Sequence, residues 1–182
     1  MIFPGPGGGI QCPDCEGEGK VEMIENDIRQ EFRKHFRERF NQVGLFEFGI
    51  KEAIFDAFII QSGDKKIRGF EFKVSRRDFL SDNKLRPTLI SFAEKRLHPE
   101  PVDHLRTKWE KYLKFVNIFY WVCPEGLIQP NEVKEPAGLI WVPGMKIKKR
   151  PKSINKDFDV KLLQEILFLF ASRTKTRTGD YF

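Results

Sequence analysis

Residues 53–74, AIFDAFIIQSGDKKIRGFEFKV, hold two apolar runs separated by a short polar stretch with Gly63–Asp64 at its centre. A Gly-Asp pair between two β-type runs signals a hairpin. Side chains alternate faces along a strand, so the turn decides which residues meet. A turn centred on Gly63–Asp64 puts Asp56 opposite Glu71, with Cβ atoms roughly 4.5–5.5 Å apart. It also predicts Ile54, Asp56, Phe58 and Ile60 on one face, beside Ile67, Gly69, Glu71 and Lys73 of the second strand. Two facing carboxylates destabilise a sheet unless something cationic lies between them. A divalent ion such as Mg2+ or Mn2+ is the simplest compensator, since it takes one or two carboxylates plus water and phosphate oxygens. A slip of one residue would part the two acids.

Periodicity supplies the other elements. Residues 26–40 read as a helix capped by Asn26 or Asp27, with Ile28, Phe32, Phe36 and Phe40 as its apolar stripe. Strands are expected at 45–50, 53–60, 67–74, 117–123 and 138–142. Residues 76–97 read as helical with a break or restart at Pro87, HPEP (98–101) as a loop, and 104–116 as a second helical piece. KIKKRPK (146–152) reads as a basic connector. Residues 157–172 read as a helix apolar nearly all round, and so buried. The order α-β-β-β-α-β, then β-α, predicts a layered α/β (α+β) domain over 23–172. Before it lies a Gly/Pro/Cys-rich arm at 1–22, and after it a mobile tail at 173–182.

The net charge of +6 points to a polyanionic partner, with nucleic acid the first candidate. The apolar fraction is modest at 40%, but eighteen phenylalanines suffice to fill a core. No run approaches ~18 apolar residues, so no membrane span is expected. MIFPGPGGGI lacks the basic and apolar regions of a signal peptide. Three cysteines make no disulfide framework, and a cytoplasmic location is expected.

An isolated Glu-x-Lys is more often a surface pair than a site. Here Asp56 in an apolar strand, the hairpin register, and the basic flank Arg76–Arg77 add to it. Asp56 followed by Glu71-Phe72-Lys73 resembles the signature of the PD-(D/E)XK nuclease superfamily. EFKVSRRDFLSDNK (71–84), KWEKYLKFVNIFYWVCPEGL (108–127) and EPAGLIWV (135–142) resemble the MmcB-like DNA repair proteins of that superfamily, over roughly residues 24–172. Residues 85–107 interrupt the resemblance between DNK and KWEKY. It implies a restriction-endonuclease-like core with a mixed sheet flanked by helices. It also implies Asp56 and Glu71 as ligands of Mg2+ or Mn2+, and Lys73 as the catalytic lysine. The implied function is metal-dependent hydrolysis of DNA phosphodiester bonds in repair or recombination.

Superfamily members often carry a further acid on the first helix, for which Glu25 and Glu31 are candidates, Glu25 favoured. Both are also ordinary acids for the start of a helix. Arg76, Arg77, Lys84 and Lys108 are candidates for phosphate contacts. Trp109 and Tyr112 either stack on a base or belong to the core. Asp78 and Asp82 are expected to cap or pair locally, and KIKKRPK either grips a nucleic-acid backbone or is simply solvated. Cys12 and Cys15 look like half a zinc-binding repeat of DnaJ-type chaperones, but structural zinc wants four ligands. The pair either binds no metal, borrows distant ligands, or shares Zn2+ between two chains in a homodimer. Cys123 reads as a buried, inert thiol, and His35, His98 and His104 as ordinary surface or loop residues. DNA is the expected partner, with RNA open. Two non-enzymatic readings compete: a DNA-binding module of the nuclease fold, and a protein-interaction scaffold docking through its zinc arm.

Overall fold

The computed structural model describes residues 23–37, 42–51, 53–61, 66–87, 105–154 and 160–174. The arm with Cys12 and Cys15, Phe40, His98, His104 and the end of the tail lie outside the described residues. The elements in chain order are α1 (Glu25–Arg37), β1 (Gln42–Ile50), β2 (Ala53–Gln61), β3 (Lys66–Phe72), α2 (Arg76–Asp82), β4 (Leu85–Pro87) and β5 (Leu105–Thr107). A 3₁₀ helix (Lys108–Lys114), β6 (Ile118–Pro124), β7 (Gly138–Val142), β8 (Lys146–Lys149) and α3 (Val160–Thr174) follow.

Six strands make one mixed sheet in the order β1-β2-β3-β6-β7-β8, with parallel pairing at β3–β6 and β6–β7 and antiparallel pairing elsewhere. The architecture is α+β, with helices on both faces of this sheet. On one face α1 lays Ile28, Phe32 and Phe36 over Phe46, Ile59, Phe70 and Phe72. The Phe32 ring meets Phe70 at 4.8 Å and Phe72 at 5.3 Å between centroids. On the other face α2, the 3₁₀ helix and α3 cover Phe55, Phe58, Ile67, Phe119 and Trp121. Among the described residues no helix is long and apolar enough to cross a membrane.

The β2–β3 register has Ala57 opposite Phe70 and Ile60 opposite Ile67, as the Gly63–Asp64 turn requires. The expected face of β2 needs correction. Glu47, across from Asp56 on β1, has left-handed backbone (φ 50°), and the core faces exchange on either side of it. Phe55 therefore joins the same core as Phe58, while Ile54 is 63% exposed. Gly69 makes room for this, since a Cβ there would lie 2.5 Å from the Phe55 ring.

Other elements also depart from expectation. Asp27 does not cap α1 from in front; its carboxylate reaches back and accepts from the Ile24 N–H at 3.0 Å. The helix after Ser75 ends at Asp82, because the Asn83 backbone and side chain both donate to the Phe79 carbonyl. The chain then runs into the β4–β5 ribbon. Residues 105–114 form a short strand and a 3₁₀ helix, not an α-helix. KIKKRPK supplies edge strand β8, not a connector. Finally, α3 is not buried all round: Ile166 and Phe170 face the core, while Phe168 is 73% exposed.

Candidate functional site

β3 ends at Phe72, yet the chain stays in register with β6 one residue longer, the Lys73 N–H donating to the Val122 carbonyl at 2.9 Å. Glu71 pairs with Trp121, so a large apolar wall stands beside its carboxylate. On the other side the β2–β3 ladder stops at Ala57–Phe70. Asp56 Oδ2 accepts the Phe72 N–H at 2.6 Å, taking the donor that a further rung would use. The carboxylate of Asp56 is thereby oriented, with Oδ1 left for another partner.

Glu25, Asp56, Glu71, Lys73, Asp82 and Lys108 line one cleft of about 550 Å³. Glu71 is 4% exposed, Lys73 7% and Asp82 4%. Lys73 Nζ lies 2.8 Å from Asp82 Oδ2 and 3.5 Å from Glu71 Oε2, and 5.3 Å from the centroid of the Trp121 ring. Lys108 Nζ sits 3.1 Å from Asp82 Oδ1, so Asp82 bridges two lysines. Glu71 Oε1 is buried without a well-formed hydrogen bond.

Burial pushes the Glu71 carboxyl up to about 8, and the charge on Asp56 pushes the same way against Lys73 and Lys108. Asp56 is also raised, by burial first and Glu25 in addition, against the Phe72 N–H and Lys73. Burial works against a charge on Lys73, but Glu71, Asp82 and Asp56 outweigh it and hold its pKa above the ordinary lysine value. Lys73 is therefore an ammonium at neutral pH, suited to stabilising negative charge and not to taking a proton. Burial, then Glu71 and Asp82, raise the Tyr112 phenol in the same cleft.

Among the described residues no three His, Cys, Asp or Glu side chains form a metal-holding group. The fit to a divalent ion rests on fewer protein donors: one oriented carboxylate and one buried carboxylate with an orphaned oxygen. That set matches the way Mg2+ is held by one or two carboxylates with water and phosphate completing the shell.

Glu25 lines the cleft and pairs with Arg29 at 3.1 Å. Glu31 lies elsewhere, near the Gly144 N–H. Arg76 does not reach into the cleft; it binds Glu132 and the Leu127 carbonyl, clamping α2 to the loop after β6. Arg77 and Lys84 are exposed outside the cleft lining. Tyr112 corrects the stacking expectation, because Phe55 and Phe119 pack against its ring at 4.9 and 5.6 Å and it is buried. Trp109 is likewise core. Asp78 caps with Ser75, as expected, but Asp82 does not act locally. The one legible sign of its burial was its place three residues after Phe79, on the same helix face. In KIKKRPK, Lys146 pairs with Glu125, Lys149 donates to the Val133 carbonyl, and Lys148 lies over Trp141. Cys123 is buried, its thiol pushed up to about 12 by that burial, and His35 stacks edge-on against Phe36.

Fold and site together define a layered α+β domain with a cleft of buried acids and lysines at the end of its central strand. No protein-family model matches the chain, and no curated protein matches it. Among solved structures, a protein of unknown function from Silicibacter pomeroyi is similar, with a TM-score of 0.55 over 81% of this chain and 84% of that one. At 15% identity the likeness bears on the fold alone.

Proposed function

We propose that the protein is a metal-dependent phosphodiesterase that hydrolyses nucleic acid, DNA in the first instance, on a restriction-endonuclease-like core. The observation that carries this reading is the pairing of a partly buried carboxylate, Asp56, and a buried one, Glu71, with the buried ammonium of Lys73 in one cleft. Glu71, whose affinity for its proton is raised by burial first and by Asp56 in addition, is the natural partner of a cation. A divalent ion bound there would polarise a phosphodiester and acidify a water molecule. Asp56 and Glu71 would hold it, Asp56 with the oxygen not used by Phe72. Lys73, kept charged by Asp82 and Glu71, would face the negative charge that develops on the phosphate oxygens. The resemblance to MmcB-like proteins supports DNA repair as the setting.

Cleavage of labelled single-stranded, duplex and branched DNA in Mn2+ or Mg2+ tests the reading. Wild type should nick at least one substrate, and Glu71→Gln or Lys73→Ala should lower the rate by at least ~100-fold. Wild type that binds DNA but leaves every substrate intact would favour the second reading, a non-catalytic binding module.

A further inference from the structure

The 3₁₀ helix Lys108–Lys114 carries a repeat that the proposed chemistry does not use. A 3₁₀ helix has three residues per turn, so side chains at i and i+3 stand in line. Trp109, Tyr112 and Phe115 form one such line and are all buried, with the Trp109 and Tyr112 rings stacked toward Phe119. This packing sets the rotation of the helix. Lys108, Lys111 and Lys114 consequently form a second line, rising by ~6 Å per step. Lys108 and Lys114 are exposed and Lys111 is half-buried, its Nζ 5.3 Å from the Tyr112 ring centroid. Glu110, the helix's one acid, is turned back to accept the Thr107 N–H at 2.8 Å. The line does not end at Lys108, because Asp82 joins that side chain to Lys73 inside the cleft.

We infer that this ridge of lysines is a track for the phosphate backbone of one nucleic-acid strand, leading it to Glu71 and Lys73. The inference rests on the phosphodiesterase reading for the strand's destination. A straight row on one ridge follows a single extended backbone, whose successive phosphates are separated by a comparable distance. A duplex presents a second backbone across a groove.

The test is binding of a fluorescent single strand and its duplex in EDTA, where no turnover occurs, across a salt series. Lys111→Gln and Lys114→Gln are compared with wild type, and melting temperatures confirm that each variant is folded. Wild type should bind the single strand more tightly. Each substitution should lower the slope of log K against log salt by about 0.7, the single-strand value per phosphate, and the double variant by about 1.4. Unchanged slopes, absence of binding, or preference for the duplex would overturn the track. Cleavage assays on the same proteins separate the two readings. Lysine-dependent slopes without cleavage keep the track and remove the phosphodiesterase; cleavage with unchanged slopes does the reverse.

Discussion

At Glu71 a buried carboxylate shares a cleft with Asp56, and burial raises its pKa to about 8, against an ordinary value of 4.5. Between those values the native state binds a proton that the unfolded chain has released. Stability therefore falls as pH rises through this window, by at most about 1.4 kcal/mol per pH unit from this group. Below it both states are protonated and the cost is absent; above it the cost is complete. Glu71→Gln removes the titration, so its advantage over wild type in thermal melts should grow from about pH 5 to about pH 9 in EDTA. Parallel curves for the two proteins would contradict the burial argument. At Gly69 the constraint is steric. An alanine Cβ would meet the Phe55 ring at 2.5 Å and Val116 at 3.0 Å. Gly69→Ala should cost about 1–3 kcal/mol in urea denaturation, and Phe55→Leu on that background should restore part of it.

At the scale of elements, burial is distributed by face and not by composition. In α3, Ile166 is fully packed while its neighbour Leu167 is 63% exposed. Ile166→Ala should therefore cost about 2–5 kcal/mol, whereas Leu167→Gln should change stability by less than about 0.5 kcal/mol, both read from denaturant midpoints. β8 shows the converse case, a charged segment that is nonetheless sheet. Its lysines occupy the outer edge, where charge discourages pairing with another chain. Asn117, just before β6, ties elements together: its Oδ1 accepts from the Ile67 N–H at 2.9 Å and its Nδ2 donates to the Ile154 carbonyl at 3.2 Å.

At the scale of the whole molecule, a cation that binds the native cleft must add to stability by mass action. Mn2+ at a hundredfold excess over its Kd should stabilise wild type by about 2.7 kcal/mol, seen as a rise in Tm. The rise should be larger at alkaline than at acid pH, because the ion competes with the proton on Glu71. Asp56→Asn should abolish most of it. An equal rise in that variant would place the ion elsewhere.

The hairpin and its register were legible because turn chemistry and strand alternation are local properties, and together they brought Asp56 toward Glu71. The strands at 117–123 and 138–142 were legible for the same reason. The three-residue spacing of Trp109, Tyr112 and Phe115 was also present in the sequence, but it resembles an α-helical stripe until the backbone is seen. Asp82 as the bridge between Lys73 and Lys108 was not legible, since those three residues meet only when α2 and the 3₁₀ helix pack onto the same sheet face. The sequence by itself therefore determined the hairpin register, while the exchange of faces at Glu47 was left to the backbone. Tertiary structure alone decided how deeply Glu71 is buried and which charges surround it, because dielectric and charge neighbours depend on elements remote in the chain.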